Sequence, residues 1–245
     1  MVIMLLIIIG GIGFLTWEDF YTNKLRFKRY RMQSKIILLT TAILIFVPAI
    51  FFFVCDFGQV SIGKRTLLSL FQSVTTRTAG FNTADLSSMT EVGQAIMILL
   101  MLMGGSPSST AGGMKTTTVA VLLLNAFATF RSREDAGAFG RRFDSQVIKN
   151  AATIAMLYFV LFFFGGITIS VYEGLSLQLC LYEAASAVGT VGLTLGITPG
   201  LHILSRLILI VLMYLGRVGG LTLIYAVVSR RNTNAKMPLE KITVG

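Results

Sequence analysis

The chain has few of the side chains that soluble proteins use most. Only 13% of its 245 residues are Asp, Glu, Lys or Arg, against about 25% in ordinary soluble domains. It contains one histidine and two cysteines, Cys55 and Cys180, which lie far apart in or beside apolar segments. We interpret both cysteines as small buried residues, since neither a disulfide nor a metal pair fits their placement.

The motifs of common enzymes are also missing. There is no HExxH, no GxSxG and no complete phosphate-binding loop. The stretch "AGGMKTTT" (111–118) approaches a phosphate loop, but a methionine separates Gly113 from Lys115, and the required spacing fails. A membrane enzyme or an ATP-driven pump therefore has no acid–base, nucleophilic or nucleotide-binding constellation to support it.

Long apolar runs dominate what is present. Residues 36–55 contain no charge, residues 150–172 contain none, and residues 207–229 contain only Arg217. Twenty helical residues rise by roughly 30 Å, which is one hydrocarbon thickness. The runs predict an integral helical membrane protein, surrounded by a lipid bilayer.

The basic residues are clustered between these runs. The net charge of +10 would suit a nucleic-acid partner if it covered one face, but three separate loops contain it. Such alternation follows the positive-inside rule and places these loops in the cytoplasm, with no nucleic acid implied. The clustered residues are Lys24, Arg26, Lys28, Arg29, Arg31 and Lys35; Arg131, Arg133, Arg141, Arg142 and Lys149; and Arg230, Arg231, Lys236 and Lys241.

The apolar segments repeat at an offset of 112 residues. Residues 36–130 and 149–229 both begin and end in the cytoplasm, so each crosses the membrane an even number of times. Thr78 to Phe81 align with Thr190 to Leu193, and Gly104 aligns with Gly216. Such a repeat indicates that the chain is built from two copies of one helical unit. The predicted segments are 1–20, the last helix of a preceding repeat; 21–35, a cytoplasmic loop; 36–130 and 149–229, the two repeats; 131–148, a cytoplasmic linker; and 230–245, a cytoplasmic tail.

Each repeat places small polar residues after a short helix. Irregular backbone at membrane depth is tolerated only where it is buried in protein or lines a wet cavity. A short helix that ends at mid-membrane directs its negative dipole end there, and extended residues beyond it can direct carbonyl oxygens at a dehydrated cation. Ordinary glycine-containing turns are the alternative. Arg77 is expected to point away and pair with Asp85 or Glu91.

The stretch from 91 to 130 is too long for one span and is interrupted by small residues. Glycine and proline disfavour a continuous helix, so we expect a broken helix with a loop at membrane depth. A simple kink or a small-residue packing interface is the alternative. The residues of this loop are Gly104, Gly105, Ser106, Pro107, Ser108, Ser109, Thr110, Gly112, Gly113 and Lys115.

Arg217 lies within the last apolar run. A charge at the centre of a membrane helix costs roughly 2.5 to 3.5 kcal/mol on insertion scales. Such a residue usually faces a bundle interior or a cavity, which suggests a role in a permeation path. A structural salt bridge or snorkelling of the side chain is the alternative.

Four motifs together resemble a known superfamily. "SVTTRTAGFNT", "GGSPSSTAGGMKT", "AVGTVGLT" and "YLGRVGGLT" are similar to the third and fourth repeats of the Ktr/Trk/HKT superfamily, most of all to its KtrB-type members. The resemblance implies an all-α integral membrane fold, in which four helix–pore loop–helix repeats surround one potassium-channel-like pore. The implied filter residues are Thr78, Ala79, Gly80 and Phe81, with Thr190, Val191, Gly192 and Leu193; Gly80 and Gly192 would hold the potassium ion.

The same resemblance implies function and partners. It implies potassium uptake across a bacterial plasma membrane, with sodium as a coupling ion in some members. It also implies a homodimer and a cytosolic nucleotide-binding regulatory ring. The loop from Gly104 to Lys115 would act as a gate under the filter, and Arg217 would form an electrostatic barrier. Neither filter segment has the second glycine of the TVGYG filter, so looser ion discrimination is expected.

The first residues suggest a preceding repeat. Gly10 and Gly11 align with Gly104 and Gly105 at an offset of 94, which places the corresponding filter glycine before residue 1. Two filter segments are present where the family's pore uses four. Either upstream sequence is absent or two copies share one pore, and we expect the former. A secondary transporter with broken midplane helices is the competing function, but it predicts inverted repeats, and these are parallel.

Overall fold

A computed structural model describes residues 1–24, 26–133 and 135–219. Helices account for most of them, and one short hairpin lies between the two repeats. The helices are α1 (Val2–Ile12), α2 (Phe14–Asn23), α3 (Met32–Cys55), α4 (Ile62–Thr75), α5 (Glu91–Leu102), α6 (Thr116–Phe130), α7 (Ser145–Glu173), α8 (Leu177–Val188) and α9 (Ile203–Val218); the strands are β1 (Gly137–Ala138) and β2 (Arg141–Arg142).

Among the described residues, two helices are long and apolar enough to cross a membrane. α3 has 24 residues and α7 has 29, and their most apolar 18-residue stretches have mean hydropathies of 2.8 and 2.3. Their outer faces expose large apolar side chains such as Phe46 and Phe164, which suits contact with lipid. α1 and α2 together have the composition of a span, but the chain bends by 92° between them.

The repeat at an offset of 112 is present in the helices themselves. The long helices α3 and α7 pack against the short helices α4 and α8, respectively. α5 and α9 then follow at matching positions, and their N-caps, Thr90 and His202, are equivalent residues. A carboxylate from the end of the preceding long helix accepts each cap's backbone N–H: Asp56 binds Thr90 at 2.8 Å and Glu173 binds His202 at 2.9 Å.

The core surrounds α8, the short helix of the second repeat. From Tyr182 to Gly189 every residue of this helix and its cap is buried. Small residues allow neighbouring backbones to approach closely in membrane proteins, and α8 uses alanine and glycine in this way. A Cβ atom on Gly189 would lie 2.2 Å from the carbonyl oxygen of Met101 in α5.

Three features of the fold differ from what the sequence predicts. Cys180 is buried, but Cys55 is exposed, because it lies at the end of α3 on the outer surface. The run 207–229 does not form one continuous helix: α9 ends at Val218, and Gly219 adopts φ 87°, ψ 139°. Residues 220–229 of that predicted span, and the tail 230–245, lie outside the described residues. The β1–β2 hairpin was not expected in an all-helical protein.

Candidate functional site

The first polar loop, residues 76–83, follows directly after α4. The amide groups of Ala79 and Gly80 both donate to the carbonyl oxygen of Thr75 at 3.2 Å, and the Thr75 hydroxyl donates to the carbonyl oxygen of Phe81 at 2.7 Å. Thr78 and Gly80 have φ values of 62° and 72°. These bonds satisfy the carbonyl end of the helix locally, and they turn the chain into an extended segment beside it.

The second polar loop, residues 189–195, has the same backbone form. Val191 donates its amide to the carbonyl oxygen of Ser186 at 2.8 Å, and Gly192 donates to the Ser186 hydroxyl at 3.1 Å. Thr190 and Gly192 have φ values of 51° and 92°. In each loop, a threonine and the glycine two residues later both have positive φ values. These positions are equivalent in the two repeats.

The two polar loops are in direct contact through glycine. A Cβ atom on Gly80 would lie 2.1 Å from the carbonyl oxygen of Val191 and 3.5 Å from the Cα atom of Gly192. No real Cβ atom fits at 2.1 Å from backbone, so only glycine is compatible with this approach. The positive φ adds a second reason for glycine. The structure therefore brings together the two segments that the sequence singled out.

A buried carboxylate supports the second polar loop, and the sequence analysis missed it. Glu183 in α8 is 4% exposed. Its Oε1 atom accepts hydrogen bonds from the Thr194 hydroxyl at 2.5 Å and the Leu195 amide at 3.1 Å, while Oε2 accepts from the Thr198 hydroxyl at 2.7 Å. One signal was available, because Glu183 is the only Asp, Glu, Lys or Arg between Glu173 and Arg206.

Arg77 does not form the predicted ion pair. Its side chain is buried, and among the described residues its only hydrogen-bond partner is the Thr41 hydroxyl, at 3.5 Å. The Nε atom of Arg77 has no partner there. Asp85 instead accepts hydrogen bonds from Ser87, which lower the pKa of its carboxyl group. The prediction was wrong because the Arg77 guanidinium reaches Thr41 of α3 instead.

A third loop, the inner loop (residues 103–115), separates α5 from α6. Its two ends are joined by backbone hydrogen bonds, from Gly104 to the Met114 carbonyl oxygen at 2.8 Å and from Thr116 to the Gly105 carbonyl oxygen at 3.0 Å. The buried hydroxyls of Ser106 and Thr116 are 3.1 Å apart. The inner loop is therefore a closed, hydrogen-bonded structure and not a kink in one helix.

The inner loop touches the second polar loop and faces the first across a cavity. A Cβ atom on Gly112 would lie 2.1 Å from the Thr190 hydroxyl, so the inner loop touches the second polar loop directly. A cavity of about 370 Å³ separates it from the first polar loop. Residues of the first polar loop, the inner loop and α1 line this cavity: Arg77, Thr78, Ala79, Phe81, Thr110, Ala111, Ile3, Leu6, Ile7, Gly10 and Gly11.

Two cationic side chains, those of Arg217 and Lys115, donate hydrogen bonds to the same stretch of the inner loop. The Nη1 atom of Arg217 donates to the carbonyl oxygen of Thr110 at 2.9 Å, and the Nζ atom of Lys115 donates to the carbonyl oxygen of Ala111 at 2.6 Å. Arg217 lies in the last turn of α9. The sequence placed it at the middle of a span, whereas here it ends a helix and reaches across to the loop.

Helix α1 also contacts the inner loop. Ser106 donates its amide to the carbonyl oxygen of Gly11 at 2.9 Å, and Phe14 donates its amide to the carbonyl oxygen of Ser108 at 3.1 Å. A Cβ atom on Gly13 would lie 2.3 Å from the carbonyl oxygen of Pro107. The remaining predicted loop residues, Ser109 and Gly113, belong to the same turn structure, and Gly113 has φ 67°.

The ligands that this arrangement offers are uncharged oxygens. Among the described residues, no group of three or more His, Cys, Asp or Glu side chains is arranged to hold a metal ion. The polar loops present backbone carbonyls and the hydroxyls of Thr78 and Thr190. Such oxygens replace the hydration shell of an alkali cation in selectivity filters. Paired polar loops of this kind, between membrane helices, are the form that filters take in one class of cation-transport proteins.

Comparison with known proteins gives the family. The chain belongs to the TrkH family of cation transport proteins, whose profile matches residues 1–235, and the resemblance seen in the four motifs is thereby confirmed. The chain is 36% identical over 257 residues to the potassium/sodium uptake protein NtpJ of Enterococcus hirae, covering 100% of this chain and 57% of that protein. It is 33% identical over 251 residues to the Ktr system potassium uptake protein B of Bacillus subtilis, with coverage of 100% and 56%.

A solved structure supports the fold. The potassium transporter TrkH from Vibrio parahaemolyticus superposes with a TM-score of 0.74 at 18% sequence identity, covering 92% of this chain and 51% of that one. The helical membrane fold predicted from the sequence is confirmed. The chain spans about half the length of the curated relatives it matches.

Proposed function

We propose that this chain supplies two of the filter segments in the pore-forming subunit of a potassium uptake system, with sodium as a coupling ion. The observation that supports this most is the contact between the two polar loops. They have equivalent sequence positions, equivalent backbone angles and an approach at Gly80 that leaves no space for a side chain. Loops that served only as turns would have no reason to meet in this way.

The proposed filter consists of Thr78, Ala79, Gly80 and Phe81 together with Thr190, Val191, Gly192 and Leu193. Carbonyl oxygens at Gly80 and Gly192 would coordinate potassium, since glycine permits the backbone angles that this needs. Neither segment has a second filter glycine. Discrimination between potassium and sodium is therefore expected to be weaker than in a TVGYG channel.

The inner loop is the proposed gate, and hydrogen bonds from Arg217 and Lys115 would hold it in place. Both side chains donate hydrogen bonds to adjacent carbonyl oxygens of the loop, those of Thr110 and Ala111. This contact suggests that Arg217 acts by restraining the gate as well as by repelling cations. Removing residues 106–111 from the full-length protein should raise the potassium flux and weaken its dependence on a regulatory partner.

The proposed setting is a bacterial plasma membrane, which the protein crosses several times. The family resemblance adds a homodimer and a cytosolic nucleotide-binding regulatory ring as partners. The ring would act on the gate by binding its closed and open arrangements unequally, because a ligand shifts an equilibrium only through such a difference.

Uptake into cells tests the proposal. The full-length protein containing this chain is expressed in cells that lack potassium uptake, and growth on limiting potassium and rubidium influx are measured. The account predicts restored growth and influx, and in the variant Gly80→Ser an influx with weaker preference for potassium over sodium. Gly200→Ser is the matched control, because a Cβ atom there meets no atom of the described residues within 4 Å. Normal membrane levels of the protein with no influx would contradict the proposal.

A further inference from the structure

The cytoplasmic linker after α6 folds into a defined structure. β1 and β2 pair as an antiparallel hairpin, and Phe143 extends it by donating its amide to the Ala136 carbonyl oxygen at 2.8 Å. The turn residues Phe139 and Gly140 have φ values of 52° and 74°, as a two-residue type I′ turn requires. The hairpin is therefore a rigid element and not a solvated linker.

Aromatic contacts attach this hairpin to the preceding cytoplasmic loop. The ring of Phe139 meets the ring of Phe27 edge-on, with the centroids 6.5 Å apart. The ammonium group of Lys35 lies 5.5 Å from the centre of the Phe139 ring, within the range of a cation–π interaction. These contacts fix the position of the hairpin relative to the ends of α3 and α6.

Four arginines line a hollow between the hairpin and α6. The hollow has a volume of about 450 Å³, a size typical of small-ligand sites. Asp135 also lines it and pairs with Arg142 at 3.5 Å. Within the described residues, no carboxylate lies within ion-pair distance of the other three arginines. The four are Arg131, Arg133, Arg141 and Arg142.

The hollow opens beside exposed apolar side chains. Its floor contains Leu124, Phe127 and Ala128 of α6. Phe127 is 60% exposed, and Phe130, at the end of the helix, is 83% exposed. Exposed apolar surface of this kind on a membrane helix suits contact with acyl chains. Arg131 follows the helix immediately, so a guanidinium group lies next to this apolar surface.

We propose that this hollow binds the phosphate group of an anionic phospholipid from the cytoplasmic leaflet. Guanidinium groups bind phosphate oxygens in a bidentate manner, and basic pockets on the cytoplasmic side of membrane helices bind anionic headgroups. A lipid fits better than a free phosphate compound because the apolar floor continues into the lipid-facing side of α6. The acyl chains would lie along Phe127 while the phosphate meets Arg131 and Arg133.

Native mass spectrometry of the full-length protein, titrated with phosphatidylglycerol in detergent, tests this proposal. The double variant Arg131→Gln/Arg133→Gln is expected to bind this lipid about thirtyfold more weakly, because each basic residue near an anionic membrane surface contributes about fivefold in affinity. The control is Arg26→Gln/Arg29→Gln, which removes two exposed arginines from the other cytoplasmic loop and should have little effect. Equal weakening in both double variants would overturn the proposal.

Further arms of the experiment separate the sources of phosphate and guard against misfolding. Phosphatidylcholine should bind the wild type no better than the double variant, and inorganic phosphate at millimolar concentration should not displace phosphatidylglycerol. Displacement by inorganic phosphate would show a free-anion site, and unchanged lipid binding with lost binding of a cytosolic protein would show a protein interface; either overturns the proposal. Arg141→Gln, on the opposite wall, should weaken lipid binding even if the double variant does not fold.

Discussion

The two polar loops have the same backbone but different surroundings. Both follow a short helix, and both have positive φ at a threonine and at the glycine two residues later. Leu193 in the second loop is 2% exposed, whereas its counterpart Phe81 is 52% exposed. The backbone form thus follows from the local sequence, while the support around it comes from the rest of the chain.

The two repeats also differ in the buried charge that each contains, Arg77 in the first and Glu183 in the second. Glu183 stands where the first repeat has Phe71, and its carboxylate accepts two hydrogen bonds from the second polar loop and a third from Thr198. Arg77 stands where the second repeat has Gly189, and its guanidinium has one long hydrogen bond among the described residues. A buried charge is tolerated only with such partners. The second loop is therefore the better supported one in this chain.

The largest expected effect comes from removing the carboxylate support. Glu183→Ala removes the buried charged acceptor of two threonine hydroxyls and one amide and should reduce the free energy of unfolding by about 2 kcal/mol. Glu183→Gln retains one acceptor oxygen and should lose less. Thermal unfolding of the full-length protein in detergent measures this. The matched control in the first repeat is Asp85→Ala, where the loss of an exposed carboxylate should leave the unfolding transition nearly unchanged.

The next effect concerns the inner loop, which touches the second polar loop through Gly112. Arg217→Gln removes a charge-assisted hydrogen bond worth about 1.5 to 3 kcal/mol, and it should speed potassium influx by about tenfold or more while the protein still inserts. Arg206→Gln is the control, since Arg206 at the other end of α9 donates to the Pro199 carbonyl oxygen at 2.7 Å. If Arg217→Gln instead prevents accumulation in the membrane, its bond is structural and not part of a gate.

The smallest effect is expected at Arg77. Arg77→Met keeps the apolar stem and removes a buried charge that has no ionic partner among the described residues. Replacing a poorly compensated buried charge by an apolar side chain costs little, so the free energy of unfolding should change by about 1 kcal/mol or less. Thermal unfolding of Arg77→Met, measured in parallel with that of Glu183→Ala, tests this. A loss as large as that of Glu183→Ala would show that both repeats depend equally on a buried ion.

Sequence reasoning succeeded where the signal was local or repeated. Apolar runs of span length predicted α3 and α7, and the offset of 112 residues predicted the correspondence of α4 with α8. It failed where the answer depended on which face of a helix meets protein. Cys55 and Arg77 are examples, because a run that is apolar all round does not distinguish a lipid-facing side from a buried one. The support by Glu183 also required tertiary structure, since its partners lie 11 to 15 residues away in a loop.

The central claim is that the two polar loops form part of one potassium filter, and rubidium uptake in competition with sodium tests it most directly. The full-length protein is compared with Gly80→Ser, Gly192→Ser and the control Gly200→Ser. Both filter variants should lose preference for potassium. Gly80→Ser should lose about tenfold or more, because its side chain meets the Val191 carbonyl oxygen, whereas no atom of the described residues lies within 4 Å of a Cβ position on Gly192. Unchanged selectivity in both variants, at normal membrane levels, would contradict the account.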